Sequence, residues 1–406
     1  APPTAARPSR GSGAALPPVR LSDGLLAPRT AARARSHHRP AQPRRDELGE
    51  AAPIGHDERA MADKKKRVLL LHTGGTLGML GGGPSPLYPE RSGDSPQRAL
   101  LQRLPELSDI AELEVELLAR QDSCDVRGEQ WLAWAERIRS DCWADGIVMI
   151  HGTDTMAYTA SALSFLLQER RLPVVLTGSQ RPLAVVRSDA RQNLLDAVIV
   201  ACGAVREVMI CFHNVALRGN RALKRSSTSM GAMGAFESPG CPPLCTLGVD
   251  ITWGEHALRT PGAPRRLQLG SAVRLSWVLP ELPAPPPWEP GEPAVHVLCA
   301  LGSGNFPLHA GWMELVAREA AAGVTHLVVS QCPHGGVSPG RYESSQKLVD
   351  SGAIYGADLT YAAAVAKARV ALGQGFTRAE LCRYLGECVA GELTPVELPR
   401  EGEPAS

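Results

Sequence analysis

A hydroxyl can act as an acyl-transfer nucleophile when a neighbouring base takes its proton. This chain offers threonines for that chemistry in two short, glycine-bearing loops. The first is His72-Thr73-Gly74-Gly75-Thr76. Glycine lets the backbone approach a ligand and leaves the Thr73 hydroxyl uncovered; read alone, these residues equally suit a plain turn at a strand end. The second is His151-Gly152-Thr153-Asp154-Thr155. A carboxylate beside a hydroxyl can anchor a substrate ammonium group and polarise Thr153. Asp154 or Thr155 can as well cap a following helix. A third stretch, Arg218-Gly219-Asn220-Arg221-Ala222-Leu223-Lys224, ends in a lysine. It serves as a base only if burial or neighbours lower its pKa; a solvated surface lysine is the ordinary alternative.

Each threonine loop ends a short apolar run, 68–71 before the first and 147–150 before the second. Such runs, bounded by glycine, read as parallel strands buried on both faces. In open α/β sheets ligands bind at the carboxyl ends of these strands. Further strands are predicted at 113–118, 174–176, 208–212, 295–298 and 327–330. Helices are predicted from 98 and at 129–139, 156–167, 190–200, 312–321, 361–372 and 378–389. The alternation implies right-handed crossovers and the α/β class: a doubly wound, mostly parallel sheet in a large N-terminal domain, plus a smaller α/β C-terminal domain. Residues 61–240 are assigned to the first and 294–400 to the second. The Pro- and Gly-rich residues 241–293 are assigned to a linker, because their run of prolines from Pro280 to Pro287 cannot be helix or central strand. Residues 80–95, mostly Gly, Pro and Ser with one Tyr, predict a mobile loop.

With 406 residues and a net charge of +1, no global field draws the chain to nucleic acid or membrane. No apolar run reaches membrane-spanning length. The ten cysteines contain no Cys-x-x-Cys pair, which argues against a zinc site. Scattered thiols suit a reducing, cytoplasmic setting. Gly74-Gly75-Thr76 lacks the G-x-G-x-x-G run of dinucleotide sites and the lysine of a P-loop. Residues 1–60, rich in Ala, Pro, Arg and Ser, lack aliphatic periodicity and predict a disordered extension. They contain no apolar core of a secretory leader. An organelle transit peptide is the alternative, and Met61 resembles a natural start.

Taken together, these segments resemble the bacterial-type L-asparaginases, in their type I (cytoplasmic) branch, over nearly everything from residue 67 to 395. The resemblance rests on Thr73-Gly74-Gly75-Thr76 and on the run from His151 to Phe165. Thr177-Gly178-Ser179-Gln180, followed by Arg187-Ser188-Asp189, adds to it. It implies that Thr73 is the nucleophile and that Thr153, Asp154 and Lys224 support acyl transfer. It implies that Asp122 and Ser123, with Thr153 and Asp154, grip the substrate, and that Tyr88 lies on a lid. It further implies that Asn305, beside Gly304, reaches the active site of a neighbouring subunit in a homodimer or homotetramer.

The implied reaction converts L-asparagine to L-aspartate and ammonia through an acyl-enzyme, without metal or cofactor. Glutaminase-asparaginase activity, the amidase subunit of a glutamyl-tRNA amidotransferase, and an inactive ligand sensor are the alternatives. The chain departs from the family pattern at Leu223, which precedes the lysine where a Thr is expected, and at Cys299 and Ala362, which replace an Arg and a Glu. With Leu223 and Cys299 unable to pair a carboxylate at a second, regulatory asparagine site, a hyperbolic response is expected. Residues 277–292 are Pro-rich where the family has a strand and a helix, so the smaller domain is expected to lack an edge unit.

Overall fold

The computed structural model describes residues 65–78, 96–169, 171–230, 234–258, 262–340 and 342–395. The N-terminal extension, the whole loop expected at 80–95 and Tyr88 within it lie outside the described residues.

The chain opens with β1 (Arg67–Gly74), α1 (Pro96–Arg103), α2 (Leu107–Ile110) and β2 (Glu112–Gln121). Next come α3 (Gly128–Ser140), β3 (Gly146–Ile150), α4 (Met156–Leu166), β4 (Val174–Thr177), α5 (Ala190–Ala201) and β5 (Val208–Phe212). The unit closes with β6 (Val215–Arg218), β7 (Leu223–Lys224), β8 (Phe236–Glu237), β9 (Cys245–Leu247) and β10 (Ile251–Trp253). Eight of these strands form one sheet in the order β10-β9-β6-β5-β4-β3-β1-β2. From β2 to β5 all neighbours are parallel, whereas β6, β9 and β10 join antiparallel. The chain leaves β1 for β2 on one side and returns to β3 on the other. That reversal makes β1/β3 the topological switch point, where a crevice opens outside the carboxyl ends. Strand burial is complete here: every residue of β3 is buried, because helices cover both sheet faces.

The smaller sheet is all parallel, in the order β11 (Val273–Trp277), β12 (Ala294–Ala300), β13 (Val324–Ser330), β14 (Ile354–Tyr355). It carries α6 (Trp312–Ala321), α7 (Glu343–Asp350), α8 (Tyr361–Gly373) and α9 (Arg378–Gly386). One apolar cluster runs from Leu69 and Phe165 through Ala363 and Ala366 to Val297 and Leu327, so the two sheets share a core. The joint is α4 against α8. Alanines at 362, 363, 364, 366 and 368 of α8, all fully buried, let the helices approach closely. Each large side chain buried in this core contributes about 1.5–3 kcal/mol.

The expected linker is corrected by these strands. Within 241–293, β9 and β10 extend the large sheet and β11 opens the small one. The smaller domain therefore has its edge strand, paired from Val273↔Val295 to Trp277↔Cys299. The Pro-rich residues after it form a strap rather than a gap. Ala284 N donates to Ala310 O (2.8 Å), Trp288 N to Glu319 Oε1 (3.0 Å) and Arg274 Nη1 to Pro286 O (3.1 Å). The strands were hidden because each is short; pairing partners, not local pattern, define them.

Candidate active site

Thr73 stands one residue before the end of β1, and its register against β2 slips between His72 and Gly74. Thr73 is 3% exposed, and its Oγ1 donates to Ile150 O, the last carbonyl of β3, at 2.9 Å. Gly74 (φ +120°) and Gly75 (φ +83°) adopt backbone conformations that side chains rarely tolerate. Space is equally restrictive. A Cβ on Gly75 would stand 2.6 Å from Gly152 Cα, and one on Gly152 would stand 2.6 Å from Ser123 Oγ. The loops after β1, β2 and β3 thus interlock through glycines.

In the β3 loop, Thr155 occupies the N-cap position of α4 but makes no side-chain cap bond. Its Oγ1 donates instead to Ser123 O at 2.7 Å, tying the loop to the one after β2. Asp154 is therefore not used as a cap. Its Oδ1 accepts from Lys224 Nζ at 2.5 Å, and the same Nζ donates to Thr153 Oγ1 at 2.7 Å. The Lys224 side chain is mostly covered, whereas Asp154 remains largely open to solvent. Among the described residues no hydrogen bond joins Thr73 to this trio; the loops that carry Thr73 and Thr153 touch through Gly75 and Gly152.

Behind the loops lies a buried chain of donors. His151 Nδ1–H donates to Gly152 O (2.7 Å), which leaves Nε2 to accept from Thr159 Oγ1 (3.0 Å). Thr159 Oγ1 in turn accepts from Trp131 Nε1 (3.0 Å). This arrangement needs a neutral ring, and burial agrees, pushing His151 down to about 4. Burial, helped by the Arg120 cation, also holds His72 at about 4.

Asp122 caps the short 3-10 turn Ser123–Asp125 by accepting from Cys124 N (2.8 Å). Ser123 is buried against Gly152, while Asp122 is exposed. Cys124, which sequence reasoning passed over, is an exposed thiol whose Sγ lies 3.8 Å from Asp154 Oδ2. Asp122, with Asp154 adding, raises its pKa, so the thiol stays protonated at neutral pH. Asn305 sits elsewhere, on the turn after β12, where its N donates to Leu301 O (2.9 Å). Its side-chain oxygen is buried without a hydrogen-bond partner. No hydrogen bond among the described residues carries it to Thr73 or Lys224. Tyr88 falls outside the described residues. Leu223 and Ala362, two departures from the family pattern, pack on one another with Ala157. Cys299 is a core residue of β12, its thiol pushed up to about 12 by burial.

Two groups of described residues have metal-ligating types close together: Asp122, Cys124 and Asp154 at the loops, and His296, Glu319 and His326 in the smaller domain. In the second, His296 Nδ1 (2.7 Å) and His326 Nε2 (3.0 Å) both hydrogen-bond Glu319 Oε2. Arg274 and Trp288 N bind its other oxygen. The group is a completed hydrogen-bond hub.

The large sheet with hydroxyl, carboxylate and ammonium groups at its switch point, and the second parallel sheet that shares its core, define a two-sheet α/β protein with a polar site at the strand ends. Residues 67–259 match the family described as "Asparaginase, N-terminal", and residues 293–385 match "Glutaminase/Asparaginase C-terminal domain". L-asparaginase 1 of Escherichia coli (strain K12) is 34% identical over 359 residues, covering 82% of this chain and 99% of the relative. The 60 kDa lysophospholipase of Mus musculus is 32% identical over 367 residues, covering 83% of this chain and 64% of that protein. The crystal structure of L-asparaginase I from Vibrio cholerae superposes with a TM-score of 0.70 at 30% identity, covering 82% of this chain and 100% of the other. The chain belongs to the bacterial-type L-asparaginase family, in its type I branch.

Proposed function

We propose that the chain is an L-asparagine amidohydrolase that uses Thr73 as its nucleophile. The observation that supports this reading is a buried threonine hydroxyl at the end of β1 and a lysine–carboxylate–hydroxyl trio built on the loop after β3, the two loops touching through Gly75 and Gly152. Thr73 Oγ1 attacks the side-chain amide carbon, and its proton passes by way of Thr153 and Lys224 to the leaving nitrogen. Backbone N–H groups of the glycine turns stabilise the oxyanion. Ammonia departs, and water then cleaves the ester to give aspartate and free Thr73. No metal or organic cofactor enters this sequence.

Asp154 and Asp122 bind the substrate's ammonium group, and Ser123 supports its carboxylate. By resemblance, Tyr88 is assigned to a lid. Asn305 serves the site of a neighbouring subunit in a homodimer or homotetramer, and the protein works in the cytoplasm.

Ammonia release from purified chain, with asparagine and glutamine in parallel, tests the reading. One methylene of pocket length separates the two substrates, worth about 10–200-fold. Release from asparagine at least tenfold faster supports it. No release from either would leave a ligand sensor, and faster release from glutamine would reassign the substrate.

A further inference from the structure

Lys224 lies on a strand of only two residues, paired with Phe236 and Glu237 and followed by bonds from Arg225 N and Ser226 N to Ala235 O. So short a ladder is weakly held on its own. Yet the Nζ sits within hydrogen-bond distance of both Thr153 and Asp154. Something else must hold the strand in place.

The residues that lead into β7 are unusually buried for polar groups: Arg218 is 6%, Asn220 0% and Arg221 4% exposed. Arg218 pairs with Glu207 of its own domain, whereas the bonds of Asn220 and Arg221 converge on the end of the smaller domain. Asn220 Nδ2 donates to Ala390 O (2.9 Å) and Arg221 Nε to Gly391 O (2.8 Å). Arg221 Nη1 reaches Asp358 Oδ2 (2.7 Å) and Nη2 reaches Thr394 Oγ1 (3.2 Å). Thr394 closes the ring, donating its N (2.7 Å) and Oγ1 (2.6 Å) to Asp358. Burial pushes the Asp358 carboxyl up, but the bonds from Thr394 and Arg221 outweigh it and keep it ionised.

The receiving segment is itself anchored. Glu392, fully buried, accepts from Val389 N (3.0 Å) and Ala390 N (2.7 Å) and pairs with buried Lys367 of α8 at 2.7 Å. Gly391 (φ +78°) lets the backbone pass against Arg218, where a Cβ would stand 2.9 Å from Nε. On the other side of β7, Leu223 packs on Ala362 of α8.

We propose that residues 389–394 form a clasp that positions Lys224 through Asn220 and Arg221, so that the end of the smaller domain sets the geometry of the larger domain's site. The inference rests on the reading of Lys224 as part of the catalytic group. Arg221 and Thr394 are positioning residues: neither touches the trio directly. A lysine displaced by about 1 Å can slow turnover by about 100-fold without a matching loss of substrate binding.

Thr394 is exposed and nearly isosteric with valine, so Thr394→Val should fold. We expect its kcat on asparagine to fall about tenfold with KM within twofold, and Thr394→Ser, which keeps the hydroxyl, to recover most of the loss. Arg221→Lys, which keeps charge but loses the fork, should fall further. Hydrogen exchange at the amides of residues 223–224 and 236–237 should quicken in Thr394→Val, while β1 and β3 stay protected. That readout needs no turnover. A folded Thr394→Val with wild-type kcat, or with unchanged exchange in β7, would overturn the clasp. A wild-type chain that releases no ammonia would instead overturn the catalytic reading, with the exchange result still deciding the clasp.

Discussion

The two sheets bury polar groups for opposite ends. In the smaller domain Glu319 is fully buried and accepts from two histidines, an arginine and a backbone N–H, so its bonding capacity is used up. At the switch point of the larger sheet, Lys224 holds Thr153 and Asp154, but Asp154 keeps much of its surface open. Saturated polar groups in a dry core stabilise and specify structure; partly used ones at a sheet edge are free to meet a substrate. The topologies agree with this division. The smaller sheet runs β11 to β14 in chain order, without a reversal, whereas β1/β3 provides one.

The comparison can be broken at either end. Lys224→Met should cut kcat by about 10²–10⁴-fold, the range for a positioned proton-transfer group, with little change in Tm. Steady-state rates beside a melting curve check it, and a folded variant within threefold of wild type would make Lys224 an ordinary ion-pair partner. Glu319→Leu should do the reverse. Removing the acceptor shared by the two buried histidines, Trp288 N and Arg274 costs about 3–5 kcal/mol, read as a Tm lower by roughly 10 °C. The kcat per folded molecule should stay within twofold, and an unchanged Tm would deny the hub its structural role.

A smaller effect concerns pH. Folded His151 takes up a proton only near pH 4, held down by burial, whereas an unfolded histidine does so near 6.5. Between those values the unfolded chain binds more protons, so stability is full above about pH 6.5 and falls as pH drops towards 4. The loss amounts to about 3 kcal/mol from this group. Denaturant midpoints across that window should decline in the wild type and less steeply in His151→Gln. Equal slopes would mean that burial does not govern this ring.

The sequence made the switch-point loops legible because apolar runs ending in glycine advertise buried strands, and Thr73, Thr153 and Asp154 follow those runs directly. Lys224 was legible only by resemblance, since its partners lie 71 and 70 residues away. The strands at 245–247, 251–253 and 273–277 were hidden because three to five residues leave no period to read. The contacts of Asn220 and Arg221 span from 137 to 173 residues, which no local pattern can announce. Cys124 was passed over because a single thiol carries no spacing signal.

The central claim, that Thr73 is the nucleophile, is tested most directly by ammonia release from L-asparagine with wild-type chain and Thr73→Ala side by side. The account predicts a folded variant with a Tm lower by only a few degrees, since the one buried hydrogen bond to Ile150 O is lost, and a rate at least ~10³-fold lower, about 4 kcal/mol of transition-state stabilisation. A folded Thr73→Ala that releases ammonia within tenfold of the wild-type rate would contradict it.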